Sequence, residues 1–224
     1  MAPTIAAIVP MRHDSERVPG KNYRVLGGRP LFHHIVSTLS AVPAVTEIVI
    51  DTDSATIRDD AMQAFPDVVV LDRPAHLRGG MVPMNDVLLN DVDRVGADFY
   101  LQTHSTNPLL TAESISRGID RFLTTHPDHD SLFSVTRLQT RLWTADGSPL
   151  NHDPAVLLRT QDLPPVFEEN SCLYLFSAET LRQRRNRIGE RPLLFEISAE
   201  EAWDIDEETD WIVAEALYER HRGR

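Results

Sequence analysis

Short apolar runs alternate along the chain with amphipathic stretches of helical period. The runs are nearly uninterrupted and end at polar or turn-forming residues, which predicts strands buried on both faces at 4–9, 45–50, 68–71, 99–102 and 131–137. Helices are predicted from Pro30, from a cap at Asp53 or Ser54 to about Ala64, over 85–95 and from Thr111 to about Thr124. Strands separated by helices of this length predict an α/β fold with a mostly parallel sheet.

The alternation breaks between 138 and 167. Apolar triplets at 142–144 and 156–158 flank the turn residues 145–149, as the strands of an extended hairpin would. We interpret 138–167 as an excursion from a single domain that spans 1–224. Trp143 either packs on its own chain or is exposed for a partner. The strand pattern resumes at Cys172–Phe176, and a last helix is predicted from about Glu207 to Arg220.

Composition excludes several classes of protein. No apolar run is long enough to span a membrane, and the N-terminus lacks a secretory signal, so we expect a cytoplasmic protein with no membrane partner. A net charge of −12 argues against nucleic acid as a partner. The single cysteine, Cys172, excludes a disulfide framework and lies in an apolar segment, where a buried thiol is expected rather than a reactive one.

The loop that follows the first strand carries the main chemical signal. From Arg12 to Asn22 it reads R-x-x-S-x-R-x-P-G-K-N, a mixture that neither a helix nor a central strand accommodates. A rigid loop of this kind suits the presentation of N–H groups and positive charge to a polyphosphate. The polar segments at 51–53 and 102–108 also directly follow strands, at the sheet edge where ligands bind in parallel α/β folds. Neither a G-x-x-x-x-G-K-[ST] loop nor a G-x-G-x-x-G after the first strand is present, which argues against P-loop and dinucleotide chemistry.

The Arg12–Asn22 motif resembles the signature loop of the sugar-acid cytidylyltransferases, which activate sialic acids, pseudaminic acid and 3-deoxy-manno-octulosonic acid as CMP derivatives. Further segments follow in that family's order: Asp51-Thr52-Asp53, R-P-x-x-L at 73–77, 102–109, R-x-Q-x-L-P-x-x-F-x-x-N at 159–170, and D-I-D at 204–206 with Asp210. The resemblance implies a Rossmann-like nucleotidyltransferase sandwich. It also implies that 138–167 is a dimerisation arm, which in a homodimer lends residues to the neighbouring site.

The resemblance implies a role for each matched residue. CTP would be bound by Pro10, Met11, Arg12, Ser15, Lys21, Asn22 and Arg73. Arg12 and Lys21 would be catalytic, because they stabilise the departing pyrophosphate, whereas Ser15 and Asn22 would shape the loop. The alternative is that Arg12 and Lys21 are exposed loop cations. Asp51-Thr52-Asp53 would position the loop and cap a helix.

A small anionic acceptor would be bound by Gln102, His104, Arg159, Gln161 and Asn170. Either Gln102 or His104 takes the place of the family's glutamine, and the sequence leaves both open. Arg159 suits a carboxylate or phosphonate, since a guanidinium binds two oxygens at once. Neighbouring acids at alternate strand positions face the same way, so Asp204 and Asp206 are expected to hold Mg2+. The alternative is an acidic cap for the last helix.

The chain departs from the family's sialic-acid members at two places. Gly79–Met84 replaces a segment of acid and hydroxyl side chains that reads the base, and Ser171-Cys172 replaces Gly-Ala. The expected activity is Mg2+-dependent transfer of CMP from CTP to a sugar acid. A compact phosphonate acceptor is the alternative. A binding module without catalysis is a further one, which the retained pair Asp204 and Asp206 disfavours.

Overall fold

The computed structural model describes residues 2–222 and contains a central sheet of seven strands in the order β5-β4-β1-β6-β8-β7-β9. These strands are β1 (Ile5–Met11), β4 (Glu47–Thr52), β5 (Val69–Asp72), β6 (Phe99–Gln102), β7 (Ser131–Leu138), β8 (Val166–Phe176) and β9 (Pro192–Glu196). β8 runs antiparallel to β6 and β7, and the other neighbouring pairs are parallel. The predicted α/β fold with a mostly parallel sheet is therefore confirmed.

Helices cover both faces of the sheet, and a small hairpin of β2 (Val25–Leu26) and β3 (Arg29–Pro30) lies beside it. The helices are α1 (Leu31–Ser40), α2 (Ala55–Ala64), α3 (Met84–Val92), α4 (Ala112–Thr125), α5 (Ala178–Arg184) and α6 (Glu208–Arg222). The Ser54 and Thr111 hydroxyls accept N–H bonds of 3.2 Å from Ile57 and Ser114, so two helices begin where the sequence predicted caps. Ser54 rather than Asp53 is the cap of α2.

Three apolar clusters hold the layers together. Residues of α1, α2 and α4 pack on one face of the sheet, and residues of α3 and α5 pack on the other. The third cluster joins Val18 of the loop after β1 and Leu26 of the hairpin to Ile205 and Trp211. Burial of these side chains draws the N-terminal loop against the segment that precedes α6. The basic and acidic ends of the chain are thereby brought together.

The segment between β7 and β8 lies outside the sheet. Its tight turn is present, but 142–144 pair with 148–150, through bonds such as Leu150 N–H to the Leu142 carbonyl at 2.9 Å. The predicted pairing with 156–158 is wrong, because the turn closes on itself within a few residues. Trp143 is 54% exposed, with its ring edge against His152. Cys172 is buried, as expected, and burial raises the pKa of its thiol above the usual range.

None of the helices within residues 2–222 combines the length and the apolar character needed to cross a bilayer.

Candidate active site

A cleft of about 720 Å3 crosses the carboxyl ends of the parallel strands. It runs from Arg73, after β5, past the loop after β1, to residues beside β8. Most residues that the sequence singled out line it: Pro10, Met11, Arg12, Ser15, Lys21, Asn22, Arg73, His104, Asp204 and Asp206. The sheet order places the expected nucleotide residues toward β5 and β1, and the expected acceptor residues toward β6 and β8.

Hydrogen bonds inside the protein fix the loop from Arg12 to Asn22. The buried Asn22 amide donates to the Arg12 carbonyl at 2.8 Å, and its oxygen accepts from the Ser105 hydroxyl at 2.6 Å. The His13 N–H donates to Asp53 at 2.7 Å, so the 51–53 segment positions the loop as interpreted from the sequence. Gly20 has φ 67°, and a Cβ there would lie 2.8 Å from the Tyr23 ring. The loop is therefore held open toward the cleft before any ligand arrives.

Lys21 is held at the junction of the two chain ends. Its ammonium donates to the Ile205 carbonyl at 2.6 Å and lies 3.6 Å from Asp206 Oδ1. The side chain is only 12% exposed, whereas Arg17, which also pairs with Asp206 at 2.8 Å, is 59% exposed. Burial of the stem with its charge at the cleft is what a phosphate-binding lysine requires, and a solvated surface cation would not show it.

Asp204 and Asp206 both line the cleft, on the segment that leads into α6. Asp204 Oδ1 is buried and has no hydrogen-bond partner among residues 2–222, and burial raises the pKa of this carboxyl. A buried carboxylate oxygen without a donor fits a hard cation, so the residues present suit Mg2+ bound jointly by protein and phosphate oxygens. Asp210, in the first turn of α6, accepts N–H bonds from Asp206 and Glu207 at 3.0 and 2.8 Å, so the start of the helix is satisfied without the carboxylates of Asp204 and Asp206.

Arg73 lies in the cleft wall and is only 2% exposed. Its guanidinium donates to Asp51 Oδ2 at 2.5 Å, and this cation lowers the pKa of Asp51 against the larger raising effect of burial. The Gly79–Met84 segment faces the Arg12 loop, since a Cβ on Gly80 would lie 3.1 Å from the Arg12 guanidinium. Backbone groups and apolar side chains of this segment therefore line this part of the cleft.

The sequence left open whether Gln102 or His104 takes the place of the family's glutamine, and the structure places the two side chains in contact. Gln102 is fully buried, and its amide nitrogen lies 2.9 Å from His104 Nε2. His104 lines the cleft, whereas Gln102 lies behind it. Burial, with Arg187 and Lys21, lowers the pKa of His104 to about 3 despite Asp206. The ring is therefore neutral and a weak base.

Arg187 is a cleft residue that sequence reasoning missed. It lines the cleft beside His104 and Ser171, and its Nη1 donates to Gln102 Oε1 at 2.5 Å. In the sequence it follows Arg182, Arg184 and Arg185, in a basic run typical of an exposed surface. That run was its only signal.

Asn170 stabilises a bulge in β8 and lies in a pocket of about 420 Å3 that adjoins the cleft at Ser171 and Asp204. Its oxygen accepts from the Ser134 hydroxyl at 2.6 Å, and its amide donates to Thr136 at 3.0 Å. The register of β7 and β8 shifts here, and Ser171 adopts φ 60°. This left-handed conformation is strained for a residue other than glycine, asparagine or aspartate.

Arg159 and Gln161 lie on the segment between β7 and β8, outside the cleft of their own chain. The Arg159 guanidinium is 73% exposed and binds both oxygens of Asp162, at 2.6 and 3.0 Å. These two predicted acceptor residues therefore do not line the cleft of their own chain.

Comparison with known proteins agrees with this geometry. The chain is 28% identical over 231 residues to CMP-N,N'-diacetyllegionaminic acid synthase of Legionella pneumophila, with 96% of each chain covered. It is 25% identical to N-acylneuraminate cytidylyltransferase A of Danio rerio, and this match covers 94% of the chain but 50% of the relative.

Solved structures share the fold. CMP:2-keto-3-deoxy-manno-octonic acid synthetase complexed with CTP superposes with a TM-score of 0.72 at 16% identity, over 97% of this chain and 99% of that one. The 4-diphosphocytidyl-2C-methyl-D-erythritol synthase of Anaerococcus prevotii gives 0.70 at 12% identity, over 98% and 97%. Identity this low supports the fold alone.

The sequence model of the cytidylyltransferase family matches residues 6–219, nearly the whole chain. It covers the Arg12–Asn22 loop, the strand ends around the cleft and the acidic pair before α6. The resemblance inferred from the motifs is thereby confirmed: the chain belongs to the cytidylyltransferase family of nucleotidyltransferases.

Proposed function

We propose that this cytidylyltransferase transfers CMP from CTP to a small anionic acceptor and releases pyrophosphate. The observation that carries the proposal is the convergence of Lys21, Asp204 and Asp206 on one cleft, at the edge of the sheet where nucleotides bind in this type of fold. The relatives named above, a CMP-sugar-acid synthase and an N-acylneuraminate cytidylyltransferase, support a sugar acid as acceptor.

Residues of the Arg12 loop would stabilise the leaving group. As an acceptor oxygen attacks the α-phosphorus, negative charge develops on the departing β- and γ-phosphates. The Lys21 ammonium, held by the Ile205 carbonyl, and the Arg12 guanidinium would bind these oxygens without reorganisation of the loop. Asp204 and Asp206 would hold Mg2+, which when bound supplies charge that polarises the phosphorus and neutralises the leaving group.

The residues around His104 favour an acceptor whose attacking oxygen is already ionised. Attack by a sugar hydroxyl calls for a general base, and such a base works best with a pKa near the working pH. His104, whose pKa is lowered to about 3, does not meet that condition. A phosphonate oxygen is an anion at neutral pH and attacks without proton removal. This observation favours the compact phosphonate as the second candidate acceptor.

A homodimer would complete the site. The segment between β7 and β8 exposes several large apolar side chains: Trp143, Leu150, Val156, Leu157 and Leu158. Contact with a second copy of the chain would bury these apolar side chains, which water otherwise surrounds. Arg159 and Gln161 lie on the same segment and outside their own cleft, so we assign their acceptor-binding role to the neighbouring subunit.

Pyrophosphate release tests the proposal. The protein is supplied with Mg2+, each of the four nucleoside triphosphates in turn, and a panel of sugar acids and small phosphonates. Release with CTP alone, dependent on an acidic acceptor and lost with EDTA, is the expected result. Release with another nucleotide would refute the assignment of CTP, and silence with every pair would refute the transfer reaction for these acceptor classes.

A further inference from the structure

Arg187 is a half-buried cation in the cleft, and no carboxylate among residues 2–222 forms an ion pair with it. Three neighbouring arginines each pair with a carboxylate: Arg182 with Asp93 at 2.6 Å, Arg184 with Glu190 at 2.7 Å and Arg185 with Asp86 at 2.8 Å. Arg187 forms no such pair within the described part of the chain, although burial lowers the pKa of its guanidinium, against the raising effects of Tyr174 and Glu169. A buried charge normally requires a counter-ion, so its absence here indicates that a ligand supplies one.

The sheet holds Arg187 in one position. Gln102 and Tyr174 are register partners on β6 and β8, so their side chains stand next to each other on one face of the sheet. The Arg187 guanidinium carbon lies 3.6 Å from the centre of the Tyr174 ring, and Nη1 donates to Gln102 Oε1 at 2.5 Å. The Arg187 N–H donates to Asn85 at 3.2 Å. The cation is therefore positioned before an acceptor binds.

These contacts also determine which nitrogen of His104 carries the proton. A guanidinium only donates hydrogen bonds, so the Gln102 oxygen must face Arg187 and its amide NH2 must face His104. His104 Nε2 then accepts, and the proton of the neutral ring lies on Nδ1. Arg187 thus begins a hydrogen-bond chain that runs through Gln102 to His104. In this chain His104 keeps its Nδ1–H as a donor.

We propose that Arg187 is the receptor for the anionic group of the acceptor, a carboxylate or a phosphonate, and that His104 Nδ1–H donates a second hydrogen bond to the acceptor. The inference rests on the proposed function, because it assumes that the β6–β8 end of the cleft holds the acceptor. The bond to Gln102 uses one of five guanidinium N–H donors, which leaves others for the ligand. Arg187 would therefore make the cleft of each chain selective for acids, independently of Arg159.

Calorimetric titration tests the anion receptor. The probes are N-acetylneuraminate, compared with its uncharged methyl ester, and methylphosphonate, compared with its uncharged dimethyl ester, with CTP and EDTA present. Wild type and the surface control Arg182→Gln should bind at least one acid about tenfold or more tighter than its ester, the range of a charge-assisted bond. Arg187→Gln should abolish that preference, and Arg187→Lys should keep part of it. The proposal is overturned if wild type binds acid and ester alike, or if Arg187→Gln keeps the preference.

Nitrogen NMR of the histidine rings tests the hydrogen-bond chain without any ligand. His104 should show a protonated Nδ1 and an unprotonated Nε2, and Arg187→Leu should allow Gln102 to turn and change this pattern. A protonated Nε2 in wild type would contradict the assignment.

Pyrophosphate release separates the two proposals. If wild type releases pyrophosphate and Arg187→Gln leaves the acceptor KM unchanged, this inference alone fails. If acids bind through Arg187 but no nucleotide reacts, the transfer reaction alone fails.

Discussion

The Lys21 ammonium lies 3.6 Å from Asp206 Oδ1, so the Arg12–Asn22 loop and the acidic segment before α6 meet in one ion pair. Beneath it, Val18 and Ile205 share a buried apolar cluster, which fixes the two segments against each other. The lysine is therefore placed by the C-terminal segment as much as by its own loop. Either segment alone would leave half of the proposed site without support.

Lys21 is the only lysine of the chain, while the other basic positions are arginines. Its ammonium fits a slot with 12% of the side chain exposed, which a planar guanidinium would not fill in the same way. We expect Lys21→Ala to lower kcat by about 100- to 1000-fold, as removal of a preorganised donor does. Lys21→Arg should be nearly as damaging. Steady-state pyrophosphate release measures both, and circular dichroism checks the fold.

A single lysine also gives a direct binding signal. Reductive methylation with 13C-formaldehyde labels Lys21 together with the N-terminal amine, and the lysine resonance disappears in Lys21→Arg. CTP should shift this resonance at concentrations that saturate the enzyme. A lysine signal that stays unchanged at saturating CTP would contradict contact with the phosphates.

Asp204→Asn should separate activity from stability. The variant keeps the shape of the side chain but loses the charge that a cation would bind, so the Mg2+ concentration for half-maximal rate should rise about tenfold or more. The Tm in EDTA should not fall, because burial disfavours the charged carboxylate and the amide oxygen of the variant can still accept a hydrogen bond from Thr106. Asp93→Asn, on an exposed side chain, is the matched control. An unchanged Mg2+ requirement would refute the metal assignment.

Local signals account for most of what the sequence predicted. The buried strands, the caps at Ser54 and Thr111 and the Arg12–Asn22 loop depend on neighbouring residues, which periodicity and side-chain chemistry reveal. The loop's placement over the strand ends followed from the parallel sheet. These parts of the fold and cleft were therefore accessible without coordinates.

Contacts between distant segments account for what the sequence could not provide. Whether Gln102 or His104 faces the cleft depends on Arg187, which follows α5 in the chain and donates to Gln102. The role of Asn170 depends on Ser134 and on the bulge in β8. Neither interaction leaves a periodic signal, and the arginine run at 182–187 looks like an ordinary exposed surface until the strands are paired.

Asp91 should make stability depend on pH. Asp91 is 0% exposed, and its Oδ2 has no hydrogen-bond partner in the described part of the chain. Burial, with Asp51, raises the pKa of Asp91 to about 7 from 3.8. Between these values the folded state binds more protons than the unfolded state, so stability falls as pH rises through the window. Above about pH 7, the loss of stability that the ionisation of Asp91 causes is complete.

Asp91→Asn removes the ionisable group and should therefore stabilise the protein mainly above pH 7. We expect a gain of about 1 kcal/mol or more at pH 8, since one pKa unit corresponds to about 1.4 kcal/mol. Below pH 4 the variant and wild type should differ little. Urea unfolding at pH 4, 6 and 8 measures the difference, with the exposed Asp93→Asn as a control that should show no such trend. A gain that is equal at all three pH values would contradict the assignment.

The segment between β7 and β8 offers a test of shared sites. Lys21 lies in the cleft, whereas Arg159 lies outside it and is 73% exposed. Lys21→Ala and Arg159→Ala should each be impaired alone. If Arg159 acts in the neighbouring subunit, half of the dimers in an equal refolded mixture are mixed, and each carries one intact site, so activity should recover to about a quarter of wild type. Light scattering should give the mass of a dimer. A mixture no more active than the average of its two components would show that Arg159 serves its own chain or no site at all.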